Sequence, residues 1–170
     1  PAWESFSDPE GLYRVEMFGA PRSRSISESD GTTTQVYESL LENVQYALWE
    51  TSSFGMEADA ALEAYRLNVS EQYANVEILG ESRLERDGVP GIEIFFEYDN
   101  KRQRVRERLQ YYVDGGRTII LLYAAAIDVY SEADAARFLV FGAQWAVATL
   151  TSRRSASYKQ TVCAAKAERS

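Results

Sequence analysis

The stretch "NKRQRVRERLQYYVDGG", residues 100–116, decides how this chain folds. Five of its first nine residues are basic, in a chain of formal net charge −8. Arg102, Arg104, Arg106 and Arg108 are spaced by two. On a helix, steps of about 100° per residue would spread them around most of the circumference, whereas on a strand all four leave one face. The alternate positions Val105, Glu107, Leu109, Tyr111 and Val113 are apolar with one exception. The spacing predicts a strand with a guanidinium face and an apolar face.

The segments on either side support that reading. A two-residue turn at Asn100-Lys101 would set Asp99 opposite Arg102, Glu97 opposite Arg104, Phe95 opposite Arg106 and Glu93 opposite Arg108. Phe96 would meet Val105 and Ile92 would meet Leu109 on the other face. Cross-strand pairs of this kind contribute roughly 0.2–1 kcal/mol each, and a one-residue slip would turn every side chain to the wrong face. Asp114-Gly115-Gly116-Arg117 supplies the next turn, pairing Val113 with Thr118, Tyr111 with Ile120 and Leu109 with Leu122. The third strand, "TIILLYAAAI", is apolar on both faces, as a strand covered on both sides must be.

Glu107 is the exception. It shares a face with Leu109 and opposes Ala124 and, in this register, Ile94. The first reading is a wet end of the sheet or a bulge. The sharper alternative is a carboxyl whose pKa is raised in a pocket.

Working outward, Asp8-Pro9-Glu10-Gly11 has turn chemistry, and Tyr13, Val15 and Met17 then alternate with Arg14 and Glu16 as in a half-buried strand. Asp30-Gly31 predicts the turn of a hairpin whose arms are "RSISES" before it and "TTTQVYESLLE", through Glu42, after it. In the next strand Val44, Tyr46 and Leu48 lie on one side, with Ala47 and Trp49 on the other. The period then changes: Leu62, Tyr65, Val69 and Tyr73 form a helical stripe, closed by Leu79-Gly80. A second helix is predicted from Ser131, its N-cap, with an inner stripe of Ala136, Leu139, Ala143 and Val147. The Asn68-Val69-Ser70 glycosylation triplet falls inside the first helix and is read as chance. The domain is expected to span 1–150, with 151–170 a flexible basic tail carrying Cys163.

Composition excludes several kinds of chemistry. The chain has no histidine and one cysteine, so Ser-His and Cys-His pairs, internal disulfides and Cys-based metal clusters are unavailable. No metal or cofactor site is expected. An enzyme using carboxylates alone, such as Glu107 with a neighbour, is the minor alternative. Residues 1–150 carry about −12 once the +4 of the tail is set aside, which argues against nucleic acid as a partner. No apolar run reaches the ~20 residues of a membrane helix. Pro1 in place of Met is read as the trace of a removed N-terminal piece, a secretory signal being one such piece. Gly115-Gly116 joins two strands and is read as a hairpin turn, not a phosphate loop. The candidate partner-binding surface is the row Arg104, Arg106 and Arg108 with Tyr112 and Tyr123.

"FSDPEGLYRVEMFGAP", "RDGVPGIEIFFEY", "GGRTIILLYAA" and "ADAARFLVFGAQW", in that order, resemble PsbP-like and Ran-binding Mog-type domains over roughly residues 5–150. Phe18 departs from that pattern, where such chains often have proline. The last helix also lacks the usual Ser-Phe ending. The resemblance implies an α+β fold, an α/β/α sandwich in which a mainly antiparallel sheet of about six strands carries helices on both faces. It also implies a non-catalytic accessory or protein-binding domain, extracytoplasmic or periplasmic in the bacterial cell envelope. A small-molecule or lipid-binding domain, with an aromatic-lined pocket between sheet and helix, is the alternative. The resemblance transfers no residue-level site. The partner's identity and the oligomeric state are left open.

Overall fold

The computed structural model describes residues 2–7, 14–27, 31–52, 58–86, 88–101, 103–114 and 116–141. The expected tail at 151–170 and Cys163 lie outside them. The strands are β1 (Trp3–Ser7), β2 (Arg14–Phe18), β3 (Arg22–Ser27), β4 (Thr33–Leu41), β5 (Val44–Ser52), β6 (Ala74–Arg86), β7 (Val89–Asn100), β8 (Gln103–Asp114) and β9 (Arg117–Ala126). The helices are α1 (Ala58–Gln72), between β5 and β6, and α2 (Glu132–Phe141), after β9. Seven strands form one sheet in the order β3-β4-β5-β9-β8-β7-β6, every neighbouring pair antiparallel. β1 and β2 make a separate two-stranded ribbon.

The core has two halves because β9 is apolar on both sides. Ile120, Leu122 and Ala124 pack with Ala47, Ile94 and Leu109 on one face. Leu121, Tyr123 and Ala125 pack with Tyr46, Leu48 and Phe138 on the other. On the first face α1 contributes Val69 and Tyr65, with Tyr73 just beyond its end. The side chain of Leu62 is outside the described set. The second face is covered largely by the β1–β2 ribbon, through Trp3, Phe6, Val15 and Met17, with α2 beside it.

This overturns the expected α/β/α sandwich. The fold is mostly antiparallel β, a seven-stranded sheet with a ribbon and two short helices of 15 and 10 residues. The physical reason lies in two segments. Residues read as the end of the first helix and a loop form β6, which adds an edge strand instead of lengthening a helical layer. The N-terminal residues pair as a ribbon over the second face, where a helical layer was expected.

Leu79-Gly80 therefore lies inside a strand. β6 hides its period because its register shifts between Ile78 and Gly80. Val76 packs on the first face and Leu84 on the second, although both are even-numbered. A bulge inserts one residue and turns the following side chains over, so no single alternation runs through the sequence.

β8 is a strand, as the arginine spacing requires, but its pairing with β7 differs by two residues from the expected register. The ladder closes with Asn100 opposite Gln103, so Asn100 is a strand residue and not part of the turn expected at Asn100-Lys101; Lys101 has φ 51°, and Arg102 lies outside the described residues. A tight hairpin turn needs such positive φ. Asp99 then opposes Arg104, Glu97 opposes Arg106, Phe95 opposes Arg108 and Phe96 opposes Glu107. A two-residue shift leaves every side chain on its own face, which is why the face assignments survive the error. The β8–β9 register is the expected one, with Val113 opposite Thr118, Tyr111 opposite Ile120 and Leu109 opposite Leu122.

Ser131 caps α2: its Oγ accepts a hydrogen bond from the Asp134 backbone N–H at 3.2 Å. The inner stripe is corrected. Ala135, Phe138 and Leu139 are buried and Ala136 is exposed, because the large Phe138 ring takes the inward position. Ala143 and Val147 lie outside the described residues.

Candidate functional site

The arginine row is neutralised within the sheet. Arg104 reaches Glu97 at 3.3 Å, Asp99 at 3.2 Å and Glu77 of the edge strand at 3.2 Å. Arg106 meets Glu97 at 2.6 Å, and its guanidinium lies over the rings of Phe95 and Tyr130. Arg108 pairs with Glu93 at 2.9 Å and with Glu132 of α2 at 3.2 Å. Several of these are diagonal contacts, within the reach of a long side chain across a pair of strands. They restore Arg104–Glu97, Arg106–Phe95 and Arg108–Glu93, the partners expected from the two-residue-shifted register. Hydrogen bonds from Arg106 and Arg104 hold the Glu97 carboxyl below the ordinary value, against the opposing effect of burial.

Of the expected partner surface, Tyr112 and Tyr123 do not form a surface at all. Both are buried in the second half-core. Tyr112 donates to Gln110 at 3.0 Å, and the Tyr123 hydroxyl accepts from the Ser131 backbone N–H at 3.2 Å. Arg104, Arg106 and Arg108 are partly exposed, but their charge is already met.

The unusual chemistry lies on the opposite face of the same strand. Glu107 is 2% exposed, at neither a wet end nor a bulge. It sits between Phe96 of β7 and Ala124 of β9 in the ladder. The Tyr98 hydroxyl donates to its Oε2 at 3.2 Å. The Tyr73 and Tyr98 ring centroids are 4.0 Å apart. Tyr65 of α1 lies 5.3 Å from Tyr111 on the same side. Burial pushes the Glu107 carboxyl up from 4.5 to about 8, with the Tyr98 hydrogen bond acting weakly the other way. Burial first, and the Glu107 charge second, raise Tyr65, Tyr73 and Tyr98 above the ordinary tyrosine value. At neutral pH the group is a neutral carboxylic acid among neutral phenols.

Next to Glu107 an open cleft of about 170 Å³ occurs at the end of the sheet. Tyr98, Val105 and Ala124 form its inner wall. Leu40, from the end of β4, stands at its edge and is 58% exposed. Ile127 and Val129, in the turn after β9, are also large exposed apolar side chains at this end. The turn is tied there by the Ile127 N–H to the Arg104 carbonyl and by the Ala126 N–H to the Asn43 carbonyl. Sequence reasoning missed this cleft because it is assembled from the ends of five strands, β4, β5, β7, β8 and β9. The one sequence signal was Glu107 itself, a charged residue on an apolar face.

No protein-family model matches the chain, and no curated protein matches it. Among solved structures it is similar to the cyanobacterial PsbP (CyanoP) of Synechocystis sp. PCC 6803. The two share 11% identity at a TM-score of 0.53, over 75% of this chain and 82% of that one. The fold resembles that of PsbP. PA94 from Pseudomonas aeruginosa, a protein of unknown function, overlaps 79% of this chain and 86% of its own at 11% identity and a TM-score of 0.48. Among the described residues no cluster of three or more potential metal ligands occurs, and no helix is long and apolar enough to cross a membrane.

Proposed function

We propose that the chain is a non-catalytic accessory domain that binds a protein partner through the sheet end around Leu40, Ile127 and Val129. The observation that carries this reading is the cleft lined by the exposed Leu40, at the sheet end where Ile127 and Val129 follow β9 and are also exposed. Its size favours the protein reading over the small-molecule one. Small-molecule sites usually enclose about 300–1,000 Å³ and bury most of the ligand. An open cleft of about 170 Å³ suits one protruding side chain of a protein, the anchor found at the centre of many interfaces. The arginine row supports the same choice from the other side: its guanidinium groups are engaged within the fold, so they hold the sheet together.

Site-specific photo-cross-linking in the native cell tests the reading. A photoreactive residue at Leu40 or Ile127 should trap one protein, and the same group at Leu67, an exposed apolar position on α1, should not. Leu40→Asp should abolish the cross-link from position 127. Equal trapping from position 67, or indifference to Leu40→Asp, would contradict it. The extracytoplasmic setting is part of the same proposal, and fractionation of cells carrying the tagged full-length protein tests it.

A further inference from the structure

We propose that β3, one edge of the seven-stranded sheet, receives an extended acidic segment of a partner protein as an added antiparallel strand. This contact goes beyond the cleft and does not depend on it. β3 stands last in the sheet and pairs with β4 on one side. On such an edge every second residue turns its N–H and C=O away from the sheet, a template that another extended chain can complete. The ladder with β4 runs without interruption from Arg22 opposite Glu38 to Ser27 opposite Thr33. Every residue of β3 except Ile26 is exposed.

The other edge of the sheet is guarded. β6 shifts register twice, between Ala74 and Glu77 and between Ile78 and Gly80. Its Glu81 and Arg83 are tied to Arg66 and Asp59 of α1. Bulges bend an edge strand and spoil it for further pairing. β3 has no register shift and no proline. What marks it is charge of one sign, which repels a cationic strand and attracts an anionic one.

Side chains two apart share a face, so Arg22, Arg24 and Ile26 stand on one side of β3 and Ser23, Ser25 and Ser27 on the other. Arg24 engages Glu38 through Nε at 3.2 Å, and its side chain is still 52% exposed. Arg22 is exposed at the start of the strand. Two guanidinium groups on alternate residues match two carboxylates on alternate residues, with an apolar side chain beside them to meet Ile26. The serines leave room for small neighbours on the opposite face. Read antiparallel to β3, the segment runs apolar-x-acid-x-acid. Such a segment is drawn to this edge against the general repulsion of a chain of net charge −8. The candidates within the protein fit less well. Residues 151–170 carry a net +4, a second copy of β3 brings the same arginines, and β6 is interrupted by its bulges.

Amide NMR of the full chain tests this with the peptide acetyl-Thr-Val-Thr-Glu-Thr-Glu-amide. Its shifts should centre on Arg22–Ser27. The same peptide with glutamine for glutamate should bind more weakly, by up to about fivefold for each lost pair. Arg22→Gln with Arg24→Gln, both at exposed positions, should erase that preference, and so should high salt. Two further versions, N-methylated on the odd or on the even residues, probe the backbone: one should lose binding and the other keep it, because only alternate residues face β3. Equal binding of the acidic and neutral peptides would overturn the proposal. So would tolerance of both N-methylated versions, shifts centred elsewhere, or no shift at millimolar peptide. Full displacement by short polyphosphate from a peptide that tolerates N-methylation would mean a general anion site and overturn it too, and β3 shifts on raising protein concentration alone would give the edge to a second copy. The cross-linking from Leu40 and Ile127 judges the cleft separately, so the two readings can fail independently.

Discussion

Glu107 should make the protein less stable as the pH rises through neutrality, against the usual behaviour of carboxylates. In the unfolded chain the group ionises near 4.5, and in the folded chain near 8. Between those values the folded state holds a proton that the unfolded state has lost, so raising the pH favours unfolding. The contribution is complete below pH 4.5, is lost progressively to pH 8 and is flat above. At about 1.4 kcal/mol per pH unit the whole displacement corresponds to about 5 kcal/mol. Relaxation around the buried charge reduces that figure, yet it is large beside the ~5–15 kcal/mol that holds a domain folded. Urea denaturation from pH 5 to pH 9 measures it. Wild type should lose several kcal/mol across the range, and Glu107→Gln, neutral throughout and still able to accept from Tyr98, should stay nearly flat. The variant should be the more stable protein at pH 8. A flat wild-type profile, or the same slope in Glu107→Gln, would refute the reasoning.

Other consequences follow from the same contacts. Tyr98→Phe removes the hydrogen bond that holds the Glu107 carboxyl down, so its NMR titration midpoint should move above that of wild type. Arg106→Ala leaves the 10%-exposed Glu97 side chain with only the longer Arg104 contact; it should cost about 1–3 kcal/mol in urea denaturation at pH 6. Gly91→Ala would place a Cβ 2.7 Å from the Tyr111 carbonyl oxygen and from a Tyr112 ring carbon, so thermal melting should show a loss of at least about 1–3 kcal/mol. Glu97 works in the opposite direction to Glu107. Its lowered pKa gives stability that is present above 4.5 and lost as the pH falls further, so Glu97→Gln should flatten the acid limb of the stability profile.

The sequence reading was strongest where a period could run uninterrupted. The alternation through Arg104, Arg106 and Arg108 and the doubly apolar β9 placed the middle of the sheet. The Gly115-Gly116 turn gave the β8–β9 register residue by residue. The β7–β8 register was two residues out because strand periodicity is blind to even shifts, and only the turn chemistry could have shown that Asn100 still pairs, opposite Gln103. β6 was missed for a related reason: its register shifts break the alternation, and its apolar residues at 76, 78, 79 and 84 fit neither period. β1 was missed because Trp3 and Phe6, three apart, reach their apolar neighbours without strand alternation. At the candidate site the charge pattern exposed Glu107 as an anomaly, and much of the burial that makes it interesting comes from Tyr65 and Val69 of α1 and from Tyr73, which lie far from it in sequence.

The most direct test of this account is the carboxyl titration of Glu107, followed by NMR of the side-chain carbon in the folded protein. A midpoint near pH 8 would show a neutral acid walled into the sheet behind the cleft, as the structure describes. A midpoint near 4.5, where a solvated glutamate titrates, would remove the buried proton and the alkaline loss of stability together.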